Sequence, residues 1–148
     1  MIEALLIGSL MMVGTIVIES FVLGTAIHVL MDHGRKLTHL HLVSRTIVFL
    51  SLLSLWLLLG ITVAVWLWAT LFVFLGEFYN IHDALYFSTV TATTLGYGDV
   101  ILSDRWQLLS GLLAANGLFL FSLNTAFVFE AFRRILTLEE AHGDSVRD

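Results

Sequence analysis

The chain has 148 residues, of which 58% are apolar and 13% charged, with a mean hydropathy of +0.93 and a formal net charge of −5. Soluble domains carry about 25% charged residues, so this balance excludes an ordinary soluble domain and indicates a polytopic membrane protein. The lack of cysteine excludes disulfides and thiolate metal sites, and the acidic balance points away from nucleic acid.

The first apolar segment covers about residues 4–30. At 1.5 Å per residue it is about 40 Å long, enough to cross a hydrocarbon core of about 30 Å with some tilt. No basic stretch precedes it and no small-residue cleavage site follows closely, so it is expected to be retained and not removed as a signal peptide. Ser20, Gly24 and His28 recur at every fourth position, which predicts a face that packs closely on a neighbouring helix. Glu19 falls near the middle of the segment, where a charge is costly. Two roles are open to it: a protonated or hydrogen-bonded packing group, or a proton or lipid sensor acting with His28.

The connection over residues 31–45 carries Arg35, Lys36 and Arg45 against Asp32. It is the most basic short loop, so the positive-inside rule places it in the cytoplasm and the N-terminus outside. His33, His39 and His41 lie in it too; one short His-x-His without cysteine reads as a solvated loop, not a metal site. The second segment, residues 46–76, is uncharged over 31 positions and is expected to tilt. Trp66 and Trp68 are expected at its outer interface, with Trp56 deeper.

Residues 77–105 form an acidic loop holding Glu77, Asp83, Asp99 and Asp104 against Arg105, in keeping with an outer location. Asn80, three residues before Asp83, predicts a helix start. The helix expected over residues 82–93 is about 18 Å long, so it re-enters the membrane without spanning it. Such a segment is tolerated only when buried in protein or facing water. It leads into Thr91-Ala92-Thr93-Thr94-Leu95-Gly96-Tyr97-Gly98-Asp99. Glycine accepts positive φ, so a Gly-x-Gly run can turn successive carbonyls to one side and present oxygens to a desolvated cation.

The third segment, residues 106–132, ends at Arg133 and Arg134, which suit the cytoplasmic side, and residues 135–148 make a short acidic tail. No proline is present, so bends in this segment would fall at Gly111 or Gly117. Asn116 and Asn124, eight apart, share one face and serve either interhelical hydrogen bonds or a cavity lining. Gly117 is a candidate hinge or a close-packing point. Glu130 either pairs with Arg134 one turn on or contributes to a ring of carboxylates at an inner mouth. The chain thus divides into an extra helix with a basic loop (1–45), a pore unit (46–134) and a tail (135–148).

Thr94-Leu95-Gly96-Tyr97-Gly98 resembles the selectivity filter of potassium channels. Ala84-Leu85-Tyr86-Phe87-Ser88 and the threonines before the filter are similar to the pore-helix pattern of the bacterial members, and Trp106 resembles a tryptophan that opens their inner helix. The resemblance covers about residues 46–134 and leaves the first helix outside it. It implies an all-α membrane protein with three transmembrane helices, a re-entrant pore helix and a filter loop, assembled as a homotetramer. In that scheme K+ is held by the carbonyls of Thr94, Leu95, Gly96 and Tyr97 and by the Thr94 hydroxyl, with Gly98 completing the loop. Asp99 concentrates cations at the outer mouth, and Tyr86, Phe87 and Thr93 support the filter, with Tyr97 braced on the aromatics. The resemblance further implies passive K+ conduction in a cell membrane, with K+ as permeant ion and lipids as surroundings. It implies neither an enzyme, a cofactor, a small-molecule substrate nor a nucleic-acid partner. The sequence departs from the pattern at Leu95, where valine or isoleucine is usual, and at Val100-Ile101-Leu102, where a proline often follows. Leu95 keeps open a weakly selective Na+/K+ channel; a non-conducting scaffold or accessory subunit is the alternative from another class.

Overall fold

A computed structural model describes residues 1–33 and 42–144, and among these all regular structure is helical. Four helices follow in order: α1 (Ile2–His33), α2 (Leu42–Phe74), α3 (Ile81–Ala92) and α4 (Gln107–Asp144). Three of them contain stretches long and apolar enough to cross a membrane, at Ile2–Ala26, Thr46–Phe74 and Gln107–Ile135. The protein is an all-α membrane protein. Arg35, Lys36, His39 and His41 lie outside the described residues, as do the side chains of His28, His33 and Arg45.

The third long helix runs further than its apolar stretch. It was expected to stop near Phe132, but α4 continues through Arg133 and Arg134 to Asp144, so the acidic tail is largely helical. Ile135-Leu136-Thr137-Leu138-Glu139-Glu140-Ala141 is rich in good helix formers and no glycine interrupts it before Gly143. A helix ends where propensity and capping end it, not where hydropathy falls.

α1 buries Ala4, Gly8, Thr15, Glu19, Leu23 and Ala26, a stripe of small and polar residues at helical spacing. The expected stripe of Ser20, Gly24 and His28 is displaced: Ser20 is exposed, and a Cβ on Gly24 would meet open space. Consecutive helix positions differ by about 100°, so a one-residue error in the stripe moves it off the contact. Gly8 lies against Leu109 and Leu112, and Thr15 against Asn116, so α1 and α4 run side by side in the same direction. α2 runs the opposite way, with Trp56 donating to the Val22 carbonyl at 3.2 Å and Gly60 pressed on Glu19.

Two positions on α2 that were expected to share an interface point to different sides. Trp66 is exposed, whereas Trp68 is wholly buried and stacks at 5.8 Å on Phe72. Residues two apart on a helix do not share a face, so only one of them can meet a surface. Trp68 and Phe72 belong to a core with Ala4, Phe87, Leu102, Trp106 and Leu109, which joins all four helices. Leucine, phenylalanine and tryptophan side chains buried this way each contribute about 1.5–3 kcal/mol in water-exposed references, and here they set the position of α3.

Candidate functional site

α3 is placed by its ends and by one aromatic face. Asn80 caps it as expected: its side-chain oxygen accepts from the backbone N–H groups of His82 at 2.6 Å and Asp83 at 3.2 Å. Phe87 packs edge-on against Phe72, with ring centroids 5.3 Å apart at 80°, and tilted on Phe78 at 5.5 Å. At the other end, the backbone of Ala92 touches Gly117 of α4, where any Cβ would strike the Ala92 carbonyl. α3 is therefore wedged between α2 and α4, with its C-terminus aimed into the following loop.

The backbone of that loop is sorted by polarity. Its N–H groups fold back onto α3: Thr94 donates to the Thr91 carbonyl at 2.9 Å, and Leu95 and Gly96 donate to the Val90 carbonyl at 3.0 and 3.2 Å. Among the described residues, no backbone hydrogen bond ends on the carbonyls of residues 93–98. Thr94, Gly96 and Gly98 have φ of 60°, 51° and 75°, so left-handed residues alternate with Leu95 and Tyr97. Alternation of this kind sets N–H groups on one side and carbonyls on the other. Glycine holds positive φ freely, but Thr94 is β-branched, so its conformation carries local strain. Residues 93–99 are all exposed in the single chain, with Leu95 at 57% and Tyr97 at 67%. A loop of unpaired carbonyls with apolar side chains uncovered is costly inside a bilayer unless other protein or water completes it.

The stretch leaving the loop is held at three points. Tyr86 donates its hydroxyl to Asp99 Oδ2 at 2.7 Å, linking α3 to the end of the loop. That bond, with desolvation and the neighbouring negative charge, pushes the Tyr86 hydroxyl above the ordinary tyrosine value. Glu77, just past α2, accepts from the Ser103 backbone N–H at 2.7 Å and from its hydroxyl at 2.6 Å. Arg105 pairs with Glu3 at the start of α1 at 2.9 Å and lies 4.9 Å over the Trp106 ring. Both ends of the Glu3–Arg105 pair are well exposed, so it orients more than it stabilises.

The expected site residues fall into two sets. Thr93, Thr94, Leu95, Gly96, Tyr97, Gly98 and Asp99 form one continuous loop; Tyr86 and Phe87 precede it on adjacent faces of α3, Tyr86 exposed and Phe87 buried. Thr93 caps α3, its hydroxyl donating to the Thr89 carbonyl at 2.8 Å. Tyr97 is 67% exposed in the single chain and, among the described residues, makes no ring contact with Tyr86 or Phe87. Asn116, Gly117, Asn124 and Glu130 are elsewhere. Asn116 is 1% exposed and donates to Thr15 Oγ1 at 2.9 Å, and Asn124 donates to the Leu57 carbonyl at 3.3 Å. Both thus make interhelical hydrogen bonds within the chain, and Asn116 also lines a small cavity of about 10 Å³ with Trp68, Ala92 and Gly117. Gly117 is the close-packing point just described. Glu130 gives one oxygen to Arg133 at 3.1 Å and the other to Arg134 at 2.9 Å, a paired carboxylate on one helix. Glu77, Ser103, Thr15 and Gly60 were not foreseen as structural contributors. Glu77 could have been singled out as the first acid after 31 uncharged positions.

A family model described as an ion channel matches residues 60–134, just over half of the chain. The chain belongs to this ion channel family. The matched stretch begins at Gly60 in α2 and takes in α3, the carbonyl loop and α4 as far as Arg134. α1 stands outside the ion channel match yet packs on both long helices inside it. No curated protein and no solved structure matches the chain.

Proposed function

We propose that this ion channel conducts K+ passively through an axial filter built from Thr94-Leu95-Gly96-Tyr97-Gly98. The supporting observation is the polarity of the loop: the N–H groups of Thr94, Leu95 and Gly96 are spent on α3 while the carbonyls of residues 93–98 accept no described backbone hydrogen bond. Carbonyl oxygens arranged this way can replace the water shell of a cation, and the negative end of the α3 dipole lies behind them. The carbonyls of Thr94, Leu95, Gly96 and Tyr97 would hold the ions, and Asp99, fixed by Tyr86, would gather cations at the mouth.

One copy supplies one strand of oxygens, so a closed ring requires several. A cyclic homotetramer accounts for the exposed Tyr97 and Leu95 side chains, which a neighbouring copy would cover. In this arrangement residues 46–134 are the pore unit, α2 its outer helix and α4 its inner helix, with α1 at the periphery among lipids. The basic connection after α1 favours a cell-membrane protein with the N-terminus outside and the C-terminus in the cytoplasm. The absence of a β-branched side chain at Leu95 is the one feature that favours a weaker, Na+/K+-permeable filter instead.

Purified protein in liposomes tests the reading. A K+ gradient with a K+ ionophore as control should drive cation uptake in wild type, and cross-linked protein should migrate as four copies. Protein that remains a monomer and passes no cation would leave the scaffold reading in its place.

A further inference from the structure

The richest unexplained feature lies away from the loop, where α1 meets α2 and α4. Glu19 is 0% exposed, buried by its own chain before any second copy is considered. Its carboxyl is pressed on Gly60, where a Cβ would collide with it, so the lack of a side chain at Gly60 makes the socket. Beside it lies the Asn124 amide, whose N–H is directed at the carboxyl without closing to hydrogen-bond length. Both Glu19 oxygens and Asn124 Oδ1 are buried acceptors that have no donor among the described residues, while Asn124 Nδ2 reaches the Leu57 carbonyl.

Hydrogen-bond accounting decides what is missing. The Asn124 amide is both donor and acceptor: its N–H can serve a Glu19 oxygen, whereas its Oδ1 can be served only by a donor. A carboxylic acid changes the count: its O–H donates to Asn124 Oδ1, and the second Nδ2 hydrogen donates back to its carbonyl oxygen. The added proton serves Asn124 Oδ1, and the Nδ2 hydrogen, present in either state, serves the acid's carbonyl oxygen. From α2 Gly60 faces Glu19, and from α4 Asn124; no charged side chain among the described residues acts on it. The acids and bases of α4 nearest along the chain, Glu130, Arg133 and Arg134, are six or more positions past Asn124 and pair with one another.

We propose that Glu19 and Asn124 form a proton-binding site, a carboxylic acid–amide pair that clamps α1 to α4. Loss of the proton leaves a buried charge and Asn124 Oδ1 again without a donor, and the clamp loosens. α4 is the inner helix of the proposed pore, so the clamp makes conduction depend on pH. That last step rests on the conduction reading; the proton site itself does not.

Infrared spectra of the full chain in lipid, compared with Glu19→Gln and Asn124→Leu, test the site directly. Near pH 7 exposed carboxyls, with values of about 4, are ionised, so a carboxylic-acid carbonyl band there reports an unusual group. Wild type should show that band, Glu19→Gln should lack it, and Asn124→Leu should shift its frequency as the partner is lost. Identical wild-type and Glu19→Gln spectra overturn the site. Cation flux measured over about pH 5–9 tests the clamp: wild type should change as the band disappears, and Glu19→Gln should stay flat at the wild-type low-pH level. The same pH profile in both proteins overturns the clamp even if the band is present. Absence of flux in every protein would count against conduction, with the infrared band still deciding the proton site.

Discussion

Gly117→Ala puts the contact between α3 and α4 under a controlled load. An added Cβ would lie 2.7 Å from the Ala92 carbonyl carbon and 2.9 Å from its Cα, and closer still to the carbonyl oxygen. Carbon atoms pack at about 3.5–4.0 Å, so the helices must part by about 1 Å, and backbone cannot swing aside as a flexible side chain does. Overpacking of this kind costs about 1–3 kcal/mol. Alanine returns up to about 1 kcal/mol through helix propensity, leaving a net loss of about 0–2 kcal/mol. Gly111→Ala is the matched control, because a Cβ there meets open space and only the propensity gain remains. The propensity gain is common to both, so the two variants should differ by the overpacking cost of about 1–3 kcal/mol in thermal or denaturant unfolding in detergent. Since Ala92 directly precedes the loop, Gly117→Ala should also lower cation flux while Gly111→Ala leaves it near wild type. Equal stability and equal flux for the two would refute the assignment of Gly117 as the seat of α3, and would return it to the role of a free hinge.

Other contacts give independent checks. Tyr86→Phe removes the hydroxyl that Asp99 accepts and should reduce K+ preference and sustained flux with little change in helix content; circular dichroism and flux assays read both. Because the Tyr86 hydroxyl is held above its ordinary value, its proton is retained below about pH 10 and is lost only as pH rises through the higher folded value, so wild-type flux near neutrality should show no titration from the Tyr86 hydroxyl. Thr15→Val leaves Asn116 without its partner and should destabilise by about 0.6–2 kcal/mol, with the loss reduced in Thr15→Val/Asn116→Leu; unfolding of the single and double variants completes the cycle. Glu77→Ala frees the Ser103 amide, so hydrogen exchange at that amide should accelerate while exchange within α3 stays protected.

The features legible in the sequence were the local ones. The Asn80 cap, the start of α3 and the left-handed Gly96 and Gly98 each depend on a few adjacent residues, and each was found close to where it was expected. Three long apolar helices followed from hydropathy alone. What escaped depends on partners far along the chain. The burial of Trp68, the displacement of the α1 stripe from Ser20 to Glu19, and the facing of Asn116 toward Thr15 are decided by which helix lies opposite. Thr94 at φ 60° was also illegible, because a β-branched residue in the left-handed region contradicts its own preference and persists only under restraint from both sides. Likewise the extension of α4 past Arg134 has no hydropathy signal, only helix-forming residues that read equally well as a polar tail.

The reversal potential of the purified protein in a planar bilayer, with K+ on one side and an equal concentration of Na+ on the other, tests the central claim most directly. The carbonyl loop of residues 94–98 predicts currents that reverse far from zero, toward the K+ equilibrium potential. A reversal near zero would contradict K+ selectivity and assign the effect of Leu95 to a loosened filter; the absence of any current would contradict conduction itself.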